Sequence, residues 1–262
     1  ATPKIAVVRC NGSCENRPRI AVYDGVKNCR VANTTCSGDT ACAYGCLGCG
    51  DCVEACMFDS IKINGQTGLP EVDAKKCTAC GACVYQCPFG AISDKSYILN
   101  VVDLIKKSEQ GRNYKLYAVV APSISSQFSY AKLGQVITGL KKMGFHTVVE
   151  AALGADMVAM KESQELTEKG FLTSSCCPAF VSYIKSAFPD LVPFISHNCS
   201  PMVEISKYIK ETDENAKTIF IGPCTAKKAE AQLESAKPYV DAVLTFEELQ
   251  ALFDSRDIDI TT

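Results

Sequence analysis

Eight cysteines of the chain recur at a single spacing. Cys46, Cys49, Cys52 and Cys56 return as Cys77, Cys80, Cys83 and Cys87, each 31 residues further on, and Phe58 and Ile61 return in the same way as Phe89 and Ile92. A run C-x2-C-x2-C-x3-C turns three successive thiolates toward one cubane [4Fe–4S] cluster and carries the fourth to a second. The spacing therefore assigns Cys46, Cys49, Cys52 and Cys87 to one cluster and Cys77, Cys80, Cys83 and Cys56 to another. C-x2-C pairs also suit zinc. A third cysteine in each tight run, a fourth after it, and a repeat of the whole fit zinc poorly.

A second group of thiols lies far downstream, as the vicinal pair Cys176 and Cys177 in TSSCCPAF and as Cys224 in GPCTAKKAE. Each precedes a predicted helix, where unpaired N–H groups and the helix dipole favour a thiolate. A lone cysteine of this kind is as well read as a small buried hydrophobe. Two at equivalent junctions, downstream of a cluster-binding repeat, point to a shared task. A strained disulfide between Cys176 and Cys177 does not suit a reducing compartment. A third junction, VVAPSI with Pro122 and Ser123, stands at the end of another apolar run.

Alternating strands and helices must carry these junctions. Strands are expected over 115–120, 145–150, Lys217–Ile221 and Ala242–Leu244, with a short extended piece at 171–173. Helices are expected over 131–143, 155–168, 178–188, 201–210, 225–234 and 246–253, two of them with proline in the first turn, where its missing N–H costs nothing. Such alternation implies a parallel sheet covered by helices, with sites at the carboxyl ends of the strands. An amphipathic helix over 94–111 is expected to act as a linker. The fold class is an α+β ferredoxin-like two-cluster domain followed by a partial α/β parallel-sheet domain. The expected divisions are 1–45, 46–95, 96–114 and 115–262.

Before the repeat stand five more cysteines, Cys10, Cys14, Cys29, Cys36 and Cys42. Four thiolates can hold a third [4Fe–4S] cluster. Cys10, Cys14 and Cys29 are the expected set, with Cys42 or Cys36 as the fourth. The motifs CxGxCEN, YDGVKNC and CAYGCLGxGDC resemble the iron–sulfur domain of the B-subunit of Rnf electron-transfer complexes. That resemblance runs on through the ferredoxin-type repeat and favours Cys42, leaving Cys36 as a free thiol.

From residue 115 on the chain resembles the [FeFe]-hydrogenases. TSSCCPAF is similar to the family's first active-site signature and GPCTAKKAE to its second. Phe180 in place of Trp and Gly222 in place of Met suggest the branch called group B. The resemblance implies an H-cluster, a [4Fe–4S] cubane joined to a two-iron subsite. Cys177 and Cys224 would be two cubane ligands, and Cys176 the thiol that exchanges protons with the subsite. Lys227 would donate a hydrogen bond to an iron-bound cyanide, and Pro122 and Ser123 would line the pocket. Glu162 and Glu165, three residues apart on one helix face, match the family's proton pathway together with Ser196, in the expected order Glu162, Ser196, Glu165, Cys176. No role is assigned to His197 or Cys199, and His146 is taken as structural.

Nothing after Cys224 resembles the third signature, and no cysteine occurs from Thr225 to Thr262. The chain is therefore expected to be part of a larger or split protein, binding two or three [4Fe–4S] clusters but evolving no hydrogen alone. Its implied function is reversible reduction of protons to hydrogen, with ferredoxin or another low-potential carrier and hydrogenase maturation proteins as partners. A non-catalytic multi-cluster electron carrier and a hydrogen-sensing relative are the alternatives. The net charge of −2 gives no reason to expect nucleic acid. No apolar run reaches the roughly 18 residues of a membrane span, and no signal pattern opens the chain. Of 17 cysteines in 262 residues, those in metal-ligand spacing argue for a reducing cytosol rather than a disulfide scaffold, in an anaerobic bacterium.

Overall fold

The computed structural model describes residues 5–12, 16–36 and 38–261. The chain divides into two compact units, Ala1–Lys95 and Ser96–Thr262.

The first unit is built from very short elements. Strand β1 (Ala6–Val8) pairs antiparallel with β4 (Ile92–Asp94), and β2 (Ile61–Ile63) with β3 (Pro70–Val72). The helices are α1 (Cys29–Cys36), α2 (Asp51–Glu54) and α3 (Ala82–Gln86). The repeat is visible in the backbone. Gly50 precedes α2 at φ 96° and Gly81 precedes α3 at φ 83°. This left-handed turn is open to glycine at little cost, and it reverses the chain between the second and third cysteine of each run. Ile61 and Ile92, the paired repeat positions, are both buried in one small cluster with Cys83. Phe89 is buried whereas its counterpart Phe58 is half-buried. Because β1 pairs with β4, the segment before the repeat and the repeat itself form one unit.

The second unit holds a four-stranded, wholly parallel sheet in the order β6-β5-β7-β8. Its strands are β5 (Leu116–Val120), β6 (Thr147–Glu150), β7 (Lys217–Ile221) and β8 (Ala242–Leu244). Leu116, Ala118, Val119, Ile219 and Leu244 are fully buried, the near-continuous apolar run of strands covered on both faces. The helices are α4 (Ile98–Ser108), α5 (Ile124–Gln127), α6 (Leu133–Met143), α7 (Ala151–Lys169), α8 (Pro178–Ala187), α9 (Pro201–Thr212), α10 (Ala226–Glu230) and α11 (Phe246–Asp254).

Two expectations are corrected. The helix expected as a linker starts at Ile98, and its Val101 and Ile105 lie in the core of the second unit, because its apolar stripe is buried there. The extended residues before Cys176 belong to no sheet strand. Only Thr173 is bridged, in parallel, to Ile195.

Candidate functional site

In the first unit, Cys46, Cys49, Cys52 and Cys87 line one cavity with apolar walls that include Phe89 and Ile92. Crowded thiols resist joint ionisation. Burial pushes the Cys52 thiol up to about 11, and Cys46 and Cys87 add to it. The second set, Cys56, Cys77, Cys80 and Cys83, is gathered in the same sense. Burial raises Cys83 to about 12, with contributions from Cys77, Cys80, Cys52 and Cys56. Burial also raises Cys77, with Cys80 and Cys56 beside it. Cys56 differs. Burial opposes its ionisation, but the Ser60 hydroxyl and the backbone donors of Phe58, Ser60 and Ile61 bring it below the ordinary thiol value. Such donors suit a sulfur that carries negative charge. Iron neutralises thiolates that cannot be charged together, so both donor sets fit a [4Fe–4S] cluster by chemistry and by dry surroundings.

The cysteines before the repeat separate. Cys10 and Cys42 line a second, more open cavity with Arg17 and Tyr44. The Gly12 and Cys46 N–H groups each donate to Cys10 Sγ at 3.4 Å. Cys14 lies outside the described residues. Cys29 lines the first cavity and packs, like Cys10, against Cys46, Phe89 and Ala91. Its N–H donates to Asp51 Oδ2 at 2.9 Å, and its thiol, raised mainly by burial, is hydrogen-bonded to that of Cys49. The contact with Asp51 fixes this position. The Asn28 side chain, which accepts from Val31 N–H at 3.0 Å, starts α1 just before Cys29.

In the second unit, Cys177 is the extended residue that caps α8, with Pro178 first in the helix. Cys224 lies between β7 and α10. Lys227 of α10 joins the two junctions. Its Nζ donates to the Cys176 carbonyl at 2.8 Å and to Glu230 Oε2 at 2.7 Å. Cys176 is exposed, and Cys177 and Cys224 are half-buried. Ala121 N–H donates to Ile221 O at 2.8 Å, so Pro122 and Ser123 leave the sheet beside the end of β7.

The carboxylates occupy two different settings. Glu165 accepts from Ser196 Oγ at 2.9 Å, Lys169 Nζ at 2.7 Å and Asn198 Nδ2 at 2.9 Å, and lies 2.8 Å from His197 Nδ1. The Lys169 ammonium, against the opposing effect of burial, holds its carboxyl down to about 2, with help from His197 and Ser196. Glu162 accepts instead from Ser174 Oγ at 3.1 Å, and Ser174 Oγ in turn accepts from the Cys176 N–H at 3.3 Å. The expected order Glu162, Ser196, Glu165, Cys176 is therefore not the order the hydrogen bonds draw. Ser196 serves Glu165, and Glu162 is the carboxylate linked toward Cys176. Ser174 lies within TSSCCPAF, but nothing in that motif marks it as a partner of Glu162. Lys169 does, as a base four residues after Glu165 on one helix face.

Residues 114–262 match the family described as iron only hydrogenase large subunit, C-terminal domain. The chain belongs to the iron-only hydrogenase family. Residues 45–91 match the 4Fe-4S dicluster domain. Iron hydrogenase 1 of Clostridium pasteurianum is 31% identical over 251 residues, covering 81% of this chain and 43% of that protein. The B-subunit of the Na(+)-translocating ferredoxin:NAD(+) oxidoreductase complex of Acetobacterium woodii is 50% identical over 76 residues, 29% of this chain and 22% of that protein. The N-terminal region is thus similar to the B-subunit of Rnf complexes. The cytosolic Fe-S cluster assembly factor NAR1 of Eremothecium gossypii is 32% identical over 140 residues, 50% of this chain and 31% of that protein. The chain spans less than half the length of each of these relatives. Iron–sulfur electron transfer is common to the matched domains. Among the described residues no helix is long and apolar enough to cross a membrane.

Proposed function

We propose that the chain is the electron-relay and partial active-site portion of a hydrogenase, taking electrons from ferredoxin or another low-potential carrier in the cytoplasm of an anaerobic bacterium. The observation that carries this reading is the Lys227 ammonium, which ties the Cys176–Cys177 junction to the Cys224 junction through the Cys176 carbonyl at 2.8 Å. The backbone at one cysteine junction is thereby fixed to the helix that starts just after the other. Cys177 and Cys224 would bind two corners of the H-cluster cubane, and hydrogenase maturation proteins would supply its two-iron subsite. That group, when bound, supplies the redox chemistry of proton reduction.

The chain's own residues do the rest. Eight repeat cysteines hold two relay clusters, and Cys10, Cys42 and Cys14 contribute to a third. Lys227, paired with Glu230, fixes the Cys176 backbone. The exposed Cys176 thiol exchanges a proton at Sγ. Glu162, which Ser174 links to the Cys176 backbone N–H, is the carboxylate that would exchange protons on that side. Pro122 and Ser123 close the side of the pocket at the end of β5.

A second reading, an electron carrier or assembly protein without hydrogen chemistry, is favoured by the likeness to the assembly factor over half of the chain. One experiment separates them. The chain, joined to a segment that carries the family's third signature, is co-expressed with maturation proteins, and its iron content and infrared spectrum are compared with those of Cys177→Ser and Cys224→Ser. Bands of iron-bound CO and cyanide that vanish in both variants support the hydrogenase reading. Their absence from the parent protein, with the relay clusters filled, favours the second.

A further inference from the structure

The two cysteine runs of the first unit share a backbone but not a lining. Gly48 and Ala79, paired in the repeat, both take a left-handed φ, 72° and 59°, as do Gly50 and Gly81, 96° and 83°. The residue after the first cysteine of each run therefore enters an equivalent turn. It is Leu47 in one run and Thr78 in the other. Four residues after the last cysteine stand Ser60 in the first run and Ala91 in the second. The last cysteine of each run serves the cluster of the other run. Both hydroxyls thus fall to one donor set, Cys56, Cys77, Cys80 and Cys83. The set Cys46, Cys49, Cys52 and Cys87 has Leu47 and Ala91 instead, and both line its cavity.

Ser60 and Thr78 are buried, and Thr78 is only 7 % exposed. Ser60 Oγ lies 3.0 Å from Cys56 Sγ. A thiolate on iron has no proton to give, so in that state the hydroxyl is the donor. Thr78 Oγ1 has no hydrogen-bond partner among protein atoms. A buried hydroxyl left unpaired is costly. One residue from Cys77, it fits a site whose missing acceptors are the sulfurs of a bound cluster. A third difference has the same sense. Asp51 stands in the wall of the first cavity, where the repeat has Ala82 as its counterpart, and a carboxylate beside a cluster opposes an added electron.

We infer that Thr78 and Ser60 tune the cluster of Cys56, Cys77, Cys80 and Cys83, each donating its hydroxyl hydrogen to a sulfur there, and make it the more readily reduced of the two. The inference rests on the proposed pair of relay clusters. Reduction adds one electron and no proton. Hydrogen bonds to the sulfurs stabilise the more negative state and raise the potential. An electron that a low-potential carrier delivers to either cluster then settles on the one with the hydroxyls, so the relay has a direction within the repeat.

The test uses the full chain, reconstituted anaerobically, with iron and sulfide counted and each cluster titrated with dithionite by EPR. Thr78→Val with Ser60→Ala should lower one midpoint by about 59 mV, a tenfold change in its reduced-to-oxidised ratio, at unchanged iron content. Each single variant should shift the same midpoint by less, and Thr78→Ser, which keeps the donor, should leave it near the parent value. Ala91→Ser supplies the missing hydroxyl to the other cluster and should raise a different midpoint. In the parent protein the midpoint lowered by the first variants must lie above the one raised by Ala91→Ser. The reverse order, or coincidence of the two, overturns the inference. Midpoints unmoved by Thr78→Val and Ser60→Ala at full iron content also overturn it, leaving both clusters standing. If the double variant loses iron, the single variants and Ala91→Ser must still give these shifts, and their failure to do so counts against the inference. A parent protein with only about four irons, one cubane, overturns the pair of relay clusters itself, and the tuning with it.

Discussion

The two units solve the problem of a stable interior in opposite ways. In the second unit a buried parallel sheet carries one continuous apolar core, from Val101 through Leu116 and Ile219 to Phe253, and the thiols sit at its edge. Among the described residues of the first unit, buried apolar side chains gather in small clusters such as Ile61 and Ile92 with Cys83, and Phe89 and Ala91 with Cys46. Its strands are three residues long. Cysteines are part of those clusters, so the bound metal completes the interior. A unit of this kind draws its folding free energy from metal binding, whereas a large core supplies its own.

The largest expected effect is therefore asymmetric unfolding. Anaerobic removal of iron from the full chain should abolish amide protection along Ala6–Val8 and Ile92–Asp94 and leave Leu116–Val120 and Lys217–Ile221 protected. Hydrogen exchange read by mass spectrometry checks this. Equal protection of the first unit with and without iron would erase the contrast.

The next effect belongs to the second unit alone. Lys228 is fully buried, and its Nζ meets Glu248 Oε2 at 2.7 Å. That carboxylate also accepts from Thr245 N–H at 2.9 Å at the start of α11. Lys228→Met leaves a buried carboxylate without its cation and should cost about 3–5 kcal/mol. Adding Glu248→Leu should restore much of the loss. Denaturant unfolding measures both, and the iron content of the first unit should not change. A loss in the double variant as large as the sum of the two single ones would show that the pair is not coupled.

A smaller truncation probes the same contrast from the apolar side. Ile219→Val, at the fully buried centre of β7, should cost about 0.5–1.5 kcal/mol whether or not iron is bound. Ile61→Val in the first unit should affect stability mainly through cluster retention, read as the rate of iron loss to a chelator. Equal iron dependence at the two positions would contradict the division of labour.

What could be read in the sequence follows the range of the interactions involved. Ligand spacing is local, so the cysteine runs of the repeat stand out. Strands Lys217–Ile221 and Ala242–Leu244 also stand out, since buried parallel strands are uninterrupted apolar runs. The long-range choices are different. Cys29 is placed by an acceptor 22 residues away, Asp51, and no spacing rule reports that. The amphipathic stripe of α4 announces a buried face but not the unit that buries it. The extended look of 171–173 is real, yet Thr173 finds a partner only in Ile195. The strands β1, β2 and β3, three residues each, are too short to show a period. On the helix proposed to handle protons, the spacing of Glu162 and Glu165 is legible. Which carboxylate is linked to the Cys176 backbone is decided by Ser174, whose place in TSSCCPAF does not announce that partner.

The smallest effect concerns a carboxylate of the second unit that is held charged by its neighbours. That carboxylate is Glu165. Lys169 above all, then His197 and Ser196, outweigh burial and depress its carboxyl from 4.5 to about 2. A depressed folded value stabilises the fold at pH above the unfolded value. That contribution declines as pH falls from about 4.5 and is gone once pH passes below about 2. Glu165→Gln should flatten this part of the acid profile of the second unit, and Lys169→Met should move the carboxyl back toward its ordinary value. A carboxyl so acidic is far from the pKa that suits proton exchange near neutrality. While Lys169 holds it, Glu165 anchors Ser196, His197 and Asn198, and on the proposed reading Glu162 would be the carboxylate that exchanges protons. Carbon-detected NMR titration of the labelled Glu165 carboxyl decides the matter. A midpoint at or above 4.5 would remove the anchor role and return Glu165 to the proton path.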